Sequence, residues 1–385
     1  MSRKTAGLAA AAILAAAAAW TAAGPPRRWD SALARPVILR YADHLHAAYA
    51  DATDRAAALR EEIRAFVRRP SLEGLESCKA AWVRARPAYL ETEIARFSGG
   101  PIDRSPDGPE TFINAWPVDE SYIDSVDGRP FSGIINDPAG FPSIDEAALR
   151  RAHGAGGETH VTTGWHAIEF LLWGQDRSPG PGGGARPFTE FADRGTLPNA
   201  PRRRAYLELC ADLLVRDLSW VRDQWAPVRP GNYRETFLSL PVEEALSRIL
   251  TGVGTMAVGE LRGERLAAPF TLKDKEEEHS CFSDTTHLDH LHNALGVRRV
   301  WEIGVGELAR RIDPRLAADV ARALEDAIEA LRSPDLEPFD QAILGEDDRP
   351  GRRAILRALG ALDRFNRAFS RLADRLGLPV TTRLP

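Results

Sequence analysis

His166 and Glu169 stand one helical turn apart within Thr162-Thr163-Gly164-Trp165-His166-Ala167-Ile168-Glu169-Phe170-Leu171-Leu172-Trp173-Gly174. Thr162 or Thr163 suits a helix start and Gly174 a helix stop. Between them every residue except the histidine and the glutamate is apolar, and a helix that is apolar all round is a buried one. At a spacing of i,i+3 the imidazole and the carboxylate share a face. A buried carboxylate needs a charge, hydrogen bonds or a metal to compensate it. The pair therefore either satisfies itself in the core or supplies two of the three or four ligands that a metal site requires.

A second stripe offers a third ligand. Trp82, Arg86, Tyr89, Glu93 and Phe97 recur at steps of three and four, which predicts one face of a helix drawn inward by its aromatics. One reading is an internal Arg–Glu ion pair, which favours specificity over stability. The other makes Glu93 a metal ligand and Arg86 the residue that orients it. The third cluster is His279-Ser280-Cys281-Phe282-Ser283-Asp284 through His292, which holds four of the nine histidines. Ser283 or Asp284 suits a helix N-cap. His290 and His292 are expected on the solvated surface, and the acidic run Asp274 to Glu278 in an exposed turn or helix start.

Several chemistries lack their motifs. There is no His-Glu-x-x-His pair for a zinc protease, no Gly-x-Ser-x-Gly elbow and no phosphate loop with its lysine. Cys-x-x-Cys-His haem attachment is also missing. The glycines from Gly180 to Gly184 are broken by proline and read as a connector.

The elements that must position these residues are helical. Apolar stripes run from Ile38 to Phe66, from Tyr206 to Trp225, from Leu316 to Leu331 and from Ile355 to Leu372. Phe131 to Asn136 is the one modest strand candidate, so the fold class is all-α. Two Gly/Pro-rich connections, 99–142 and 178–201, are long enough to suggest function. The expected organisation is a signal peptide over 1–23, an N-terminal helical bundle over 30–200 carrying the His-x-x-Glu pair, and a C-terminal bundle over 201–385. Arg3 and Lys4, the apolar run Leu8 to Trp20 and Thr21-Ala22-Ala23 form that signal, so export of a mature protein is expected.

The 385 residues carry a formal net charge of −5, with 44% hydrophobic and 27% charged residues. This balance argues against disorder, and a mildly acidic chain without a basic run does not suit nucleic-acid binding. Cys78, Cys210 and Cys281 permit three alternative single disulfides, with Cys210 expected as a buried apolar thiol on its stripe.

Gly164-Trp165-His166-Ala167-Ile168-Glu169 through Gln175-Asp176 resembles the Gly-x-His-x-x-Glu signature of the imelysin family of exported bacterial proteins. The likeness extends to Arg86-Pro87-Ala88-Tyr89 with Thr92-Glu93 and Arg96-Phe97, and to Ile113-Asn114-Ala115-Trp116-Pro117-Val118-Asp119-Glu120. It continues through Ile134-Ile135-Asn136-Asp137-Pro138, Gly259 to Arg265 and His279 to Asp284, spanning roughly 35 to 375. Trp165 stands where the family has Tyr, and Thr285 where it has Asn. The resemblance implies two related helical bundles with a site near their interface. It also implies a metal-binding role in iron uptake or sensing, or else the metallopeptidase activity for which the family was first named.

On this reading His166, Glu169 and Glu93 are the expected metal ligands. Arg86, Tyr89, Glu120, Ser280 and Asp284 support them, with the Asp284 region closing the site from the C-terminal half. The expected cofactor is a divalent or ferric ion, iron before zinc, and the expected location is periplasmic or outer-membrane associated. Partners would be the metal and other exported or membrane components of iron uptake. A metal-free module that takes a peptide or small ligand is the third reading.

Overall fold

The computed structural model describes residues 30–104, 108–178 and 180–384; the expected signal segment 1–23 lies outside them. Each apolar stripe becomes a helix. Helix α1 (Ser31–Arg68) starts where Asp30 accepts a hydrogen bond from the Ala32 amide, and it buries the stripe from Ile38 to Phe66. Helix α2 (Leu72–Leu90) is capped in the same way by Ser71. Helices α3 (Trp165–Trp173) and α4 (Ala200–Gln224) follow, then α5 (Val242–Gly254), which continues in π-helical turns over Thr255–Ala267. Helices α6 (Thr286–Val300), α7 (Pro314–Leu331) and α8 (Pro350–Leu376) complete the principal elements. The last ends at Gly377, whose φ of +67° makes the left-handed turn that glycine permits.

Helix α1 packs along both α2 and α4, and α7 packs along α8. The helix that follows the division expected near 198–201 thus lies against the N-terminal helices. Helix α6 touches α2 and the Glu93–Ala95 turn, and also α7 and the π-helical segment. It is the joint through which residues distant in sequence reach the signature helix.

Among the described residues there is no strand, only the isolated bridge Val126–Arg129, and the strand candidate 131–136 ends in the 3-10 turn Ile134–Asn136. No described helix is long and apolar enough to cross a membrane. The two long connections are tied together by Asp124, fully buried. It accepts from Arg203 Nε at 2.6 Å and Nη2 at 2.8 Å, and from Arg186 Nη1 at 2.9 Å. Burial alone would raise its pKa, but the two guanidinium groups hold it below the usual range. All three cysteines are buried and free, so none of the alternative disulfides forms and Cys210 is the apolar thiol expected.

Candidate functional site

Helix α3 begins where only glycine fits. Gly164 has φ +93°, and a Cβ there would stand 2.5 Å from the Ile113 carbonyl oxygen. That close approach lays the helix against the 109–114 segment, and all nine of its residues are buried. His166 Nδ1 lies 2.9 Å from Glu169 Oε2, so the pair expected from the spacing forms.

Arg86, from α2, is the hub of the surrounding network. Its Nη2 sits 3.1 Å from His166 Nε2, 3.3 Å from His279 Nδ1 and 3.2 Å from Asp289 Oδ2, while Nη1 donates to Asn114 Oδ1 at 2.6 Å. Guanidinium has no acceptor, so Nε2 of His166 must accept and its proton rests on Nδ1, donated to Glu169. Trp82, Tyr89 and Trp165 surround the guanidinium with ring centroids at 5.5–6.0 Å, a favourable setting for a buried cation. Asp289 also accepts from His279 Nδ1 at 2.6 Å and Ser280 Oγ at 2.7 Å. The second oxygen of Glu169 accepts from the Ser283 amide at 3.0 Å and its hydroxyl at 2.7 Å.

Burial, reinforced by the field of Arg86 on His166 and of Arg265 and Arg86 on His279, holds both imidazoles well below their ordinary pKa. Both are neutral near pH 7. Burial pushes the Glu169 carboxyl up to about 8, against the pull of the Ser283 hydrogen bonds.

Glu93 departs from the expected helix face. Helix α2 ends at Leu90, and Glu93 opens a separate 3-10 turn, Glu93–Ala95. Its carboxylate accepts from Arg265 Nη1 and Nη2 at 2.8 and 3.0 Å, Arg96 Nη1 at 3.1 Å, Asn114 Nδ2 at 3.1 Å and Asn293 Nδ2 at 2.9 Å. Although burial opposes ionisation, Arg265 and Arg96 hold it well below the usual carboxylate range. Glu93 thus meets His166 only at second hand, through Asn114 and Arg86. The three expected ligands do not share a cation position in this arrangement. His166 turns Nε2 to Arg86, Glu93 carries five N–H donors, and arginines already supply the positive charge. The donor set is satisfied and does not fit a metal.

The supporting residues divide. Arg86, Tyr89 and Ser280 belong to the network just described, Tyr89 with its ring 6.1 Å from that of Trp165. Glu120 opens a short helix, Glu120–Ile123, and its carboxylate accepts from Gln175 Nε2 at 3.5 Å, outside that network. Asp284 goes elsewhere. It adopts φ +56°, a left-handed conformation uncommon for a residue with a side chain. Its Oδ2 accepts from the amides of Gly182 at 2.6 Å and Gly183 at 2.7 Å. Thr285, not Asp284, occupies the N-cap of α6. The glycine connector is therefore part of the site: Gly183 has φ +63°, and a Cβ on it would stand 2.6 Å from the Phe282 carbonyl oxygen.

Asp284, Asp176 and Asp340 place carboxylate oxygens within 4.8 Å of one another, the one group among the described residues spaced so that it could hold a metal ion. Asp176 accepts from the Ser178 amide at 2.9 Å and from Lys275 Nζ at 2.8 Å. Asp284 Oδ1 and Asp340 Oδ1 are buried without a hydrogen-bond partner. Burial raises the pKa of both acids, and each raises the pKa of Glu278 further. A cavity of about 740 Å³ reaches this loop, lined by Gln175, Arg177, Ser178 and Gly183 together with Trp173 and Arg186.

Two sequence expectations are corrected. Glu278, assigned to an exposed acidic turn, is 1% exposed, and His290, assigned to the surface, is fully buried with its ring 4.5 Å from that of Phe339. In both cases α6 and the segment before it pack inward, and local charge does not report that. Sequence reasoning also passed over His279, Asp289, Asn114, Arg265 and Asn293 as network members. Asn114, Arg265 and His279 lay inside segments that carried the family likeness; Asp340 had no local signal.

Comparison with known proteins gives one family. The imelysin model (peptidase M75) matches residues 45–367. No curated protein matches by sequence. Among solved structures, a candidate iron-regulated protein A precursor from Parabacteroides distasonis aligns with TM-score 0.69 and 18% identity, covering 92% of this chain and 97% of that one. An imelysin-like protein from Psychrobacter arcticum aligns with TM-score 0.67 and 14% identity, covering 92% and 98%. At such identities the likeness establishes the all-α fold.

Proposed function

The chain belongs to the imelysin family, and from that premise we propose that it is an exported metal-binding protein acting in iron uptake or sensing. The observation that carries this reading is the trio Asp176, Asp284 and Asp340, with unpaired buried oxygens on two of its members. Buried charges are paired or they coordinate metals. An all-carboxylate set suits hard cations, ferric iron among them, better than zinc, whose usual sites are built on nitrogen and sulfur.

The His-x-x-Glu pair then acts as a positioning element. Glu169 grips Ser283 by amide and hydroxyl, and the next residue is Asp284. Arg86 and His166 fix Glu169 in turn. Peptide hydrolysis has less support, because a substrate would have to reach His166 and Glu169, both at most 1% exposed. The same burial weighs against a peptide or small ligand held at that pair.

Equilibrium metal binding on the full mature protein tests the reading. One equivalent of iron is expected, weakened strongly in Asp284→Asn and Asp340→Asn. Iron binding that ignores both substitutions, or its absence, would overturn it.

A further inference from the structure

Resting on the reading just proposed, we infer that the Lys275 ammonium is a built-in competitor for the cation at Asp176, Asp284 and Asp340, and that it gives up its place when the metal binds. Lys275 opens the 3-10 turn Lys275–Glu277, and its Nζ meets three oxygens. They are Asp176 Oδ2 at 2.8 Å, the Asp176 carbonyl oxygen at 3.0 Å and the Ser178 carbonyl oxygen at 3.1 Å. An ammonium has three N–H donors, so this one is fully spent on the segment that leaves α3. That contact is an observation separate from the unpaired oxygens of Asp284 and Asp340.

The ammonium serves one member of the trio only. Oδ1 of Asp284 and Oδ1 of Asp340 have no hydrogen-bond partner, although an oxygen of each acid lies within 4.8 Å of an Asp176 oxygen. Both oxygens of Asp176 are taken, Oδ1 by the Ser178 amide at 2.9 Å and Oδ2 by Lys275. A cation shared by the three aspartates therefore meets an Asp176 oxygen that already faces a donor. The amide is fixed in the backbone; the ammonium rides on a flexible four-carbon stem and is the donor that can leave. The Lys275 side chain is 30% exposed against 4% for Asp176, which gives it a way out to water. Asp274, Glu276 and Glu277, its exposed neighbours in sequence, make that outer setting acidic.

Two cations on one carboxylate repel each other across a few ångströms, and at a partly buried site salt screens that repulsion poorly. A metal ion brings two or three charges to the contact and the ammonium one, so the metal takes the carboxylate. Its affinity is lowered by what it costs to lift the ammonium away. A lysine that merely strapped the 176–178 segment in place would act in the opposite sense: its removal would loosen Asp176 and weaken binding.

The experiment titrates the full mature protein with Tb³⁺, an oxygen-preferring cation read by its luminescence, in wild type, Lys275→Met and Lys275→Arg. Lys275→Met should bind about tenfold or more tightly than wild type, because no ammonium has to be moved. Lys275→Arg keeps the charge and should not tighten. A second measurement needs no variant. The sequence holds four lysines, Lys4, Lys79, Lys273 and Lys275, and Lys4 lies in the expected signal segment. Amine acetylation resolved by mass spectrometry thus reads Lys275 against two internal controls. Saturating Tb³⁺ should speed acetylation of Lys275 severalfold while Lys79 and Lys273 keep their rates. Binding in Lys275→Met equal to or weaker than in wild type, or Lys275 acetylation unchanged at saturation, would overturn the inference. If Asp284→Asn and Asp340→Asn still weaken Tb³⁺ binding in that case, the metal-binding reading stands. If wild type and Lys275→Met both fail to bind Tb³⁺, the two fall together.

Discussion

Glu169 Oε1 accepts from both the amide and the hydroxyl of Ser283, a residue 114 positions further along the chain. Through that double contact the family signature in α3 holds the segment that delivers Asp284 in its left-handed conformation. Glu169→Gln should keep the helix and loosen the segment. A side-chain amide has one acceptor oxygen, and the NH2 that replaces Oε2 would face the Nδ1–H of His166, so it cannot accept there and bind Ser283 as well. Reduced cation affinity with helicity unchanged by circular dichroism is expected; wild-type affinity would show that Ser283 needs no such anchor.

The pH dependence of Glu169 has a definite sign. Its carboxyl is raised by burial from 4.5 to about 8, so the protonated form is favoured in the folded state. Its contribution to stability is therefore complete below about pH 4.5 and declines as pH rises toward about 8. The difference in unfolding free energy between wild type and Glu169→Gln, measured by denaturant titration, should fall across that window. A difference that rises with pH would contradict the assignment.

Glu93 predicts the opposite slope. Arg265 and Arg96 keep its carboxyl ionised far below the usual range in spite of burial. Its contribution is present above the unfolded-state value and is lost as pH falls below it. Glu93→Gln removes the fully buried charge that Arg265 and Arg96 share, leaving them Glu260 and, for Arg96, Glu110; breaking a buried pair costs about 3–5 kcal/mol. Urea unfolding at neutral pH measures this. A loss below 1 kcal/mol would mean that Glu260, 2.9 Å from Arg265 Nη2, takes over the role.

Gly164→Ala should be among the more damaging small substitutions. The new methyl meets the Ile113 carbonyl oxygen at 2.5 Å, and φ +93° is itself costly for alanine, by about 1–3 kcal/mol for the backbone alone. Gly154→Ala is the control, with φ +71° but nothing within 4 Å of its Cβ. The first variant should melt below the second.

The fold was legible where burial follows a period. The stripes ending at Phe66, Leu331 and Leu372 all lie within helices, and the apolar run from Trp165 to Trp173 is a helix buried on every side. The His166–Glu169 pair was equally legible, because i,i+3 spacing is a local property. Glu93 was not: the stripe Trp82 to Phe97 keeps its period, but the helix ends at Leu90 and Phe97 turns left-handed at φ +62°. Nor could periodicity place Glu278, His290 or Asp340. Their burial comes from α6 and the 339–342 turn folding onto segments far away in sequence; of the acidic run, Asp274, Glu276 and Glu277 stay exposed while Glu278 becomes an unpaired interior carboxylate.

The position of the bound cation tests the central claim most directly. Anomalous diffraction from crystals of the mature protein soaked in Tb³⁺ should show one strong peak within coordinating distance of Asp176, Asp284 and Asp340, with Arg86 still on His166. A peak between His166, Glu169 and Glu93, with Arg86 and Arg265 displaced, would contradict it.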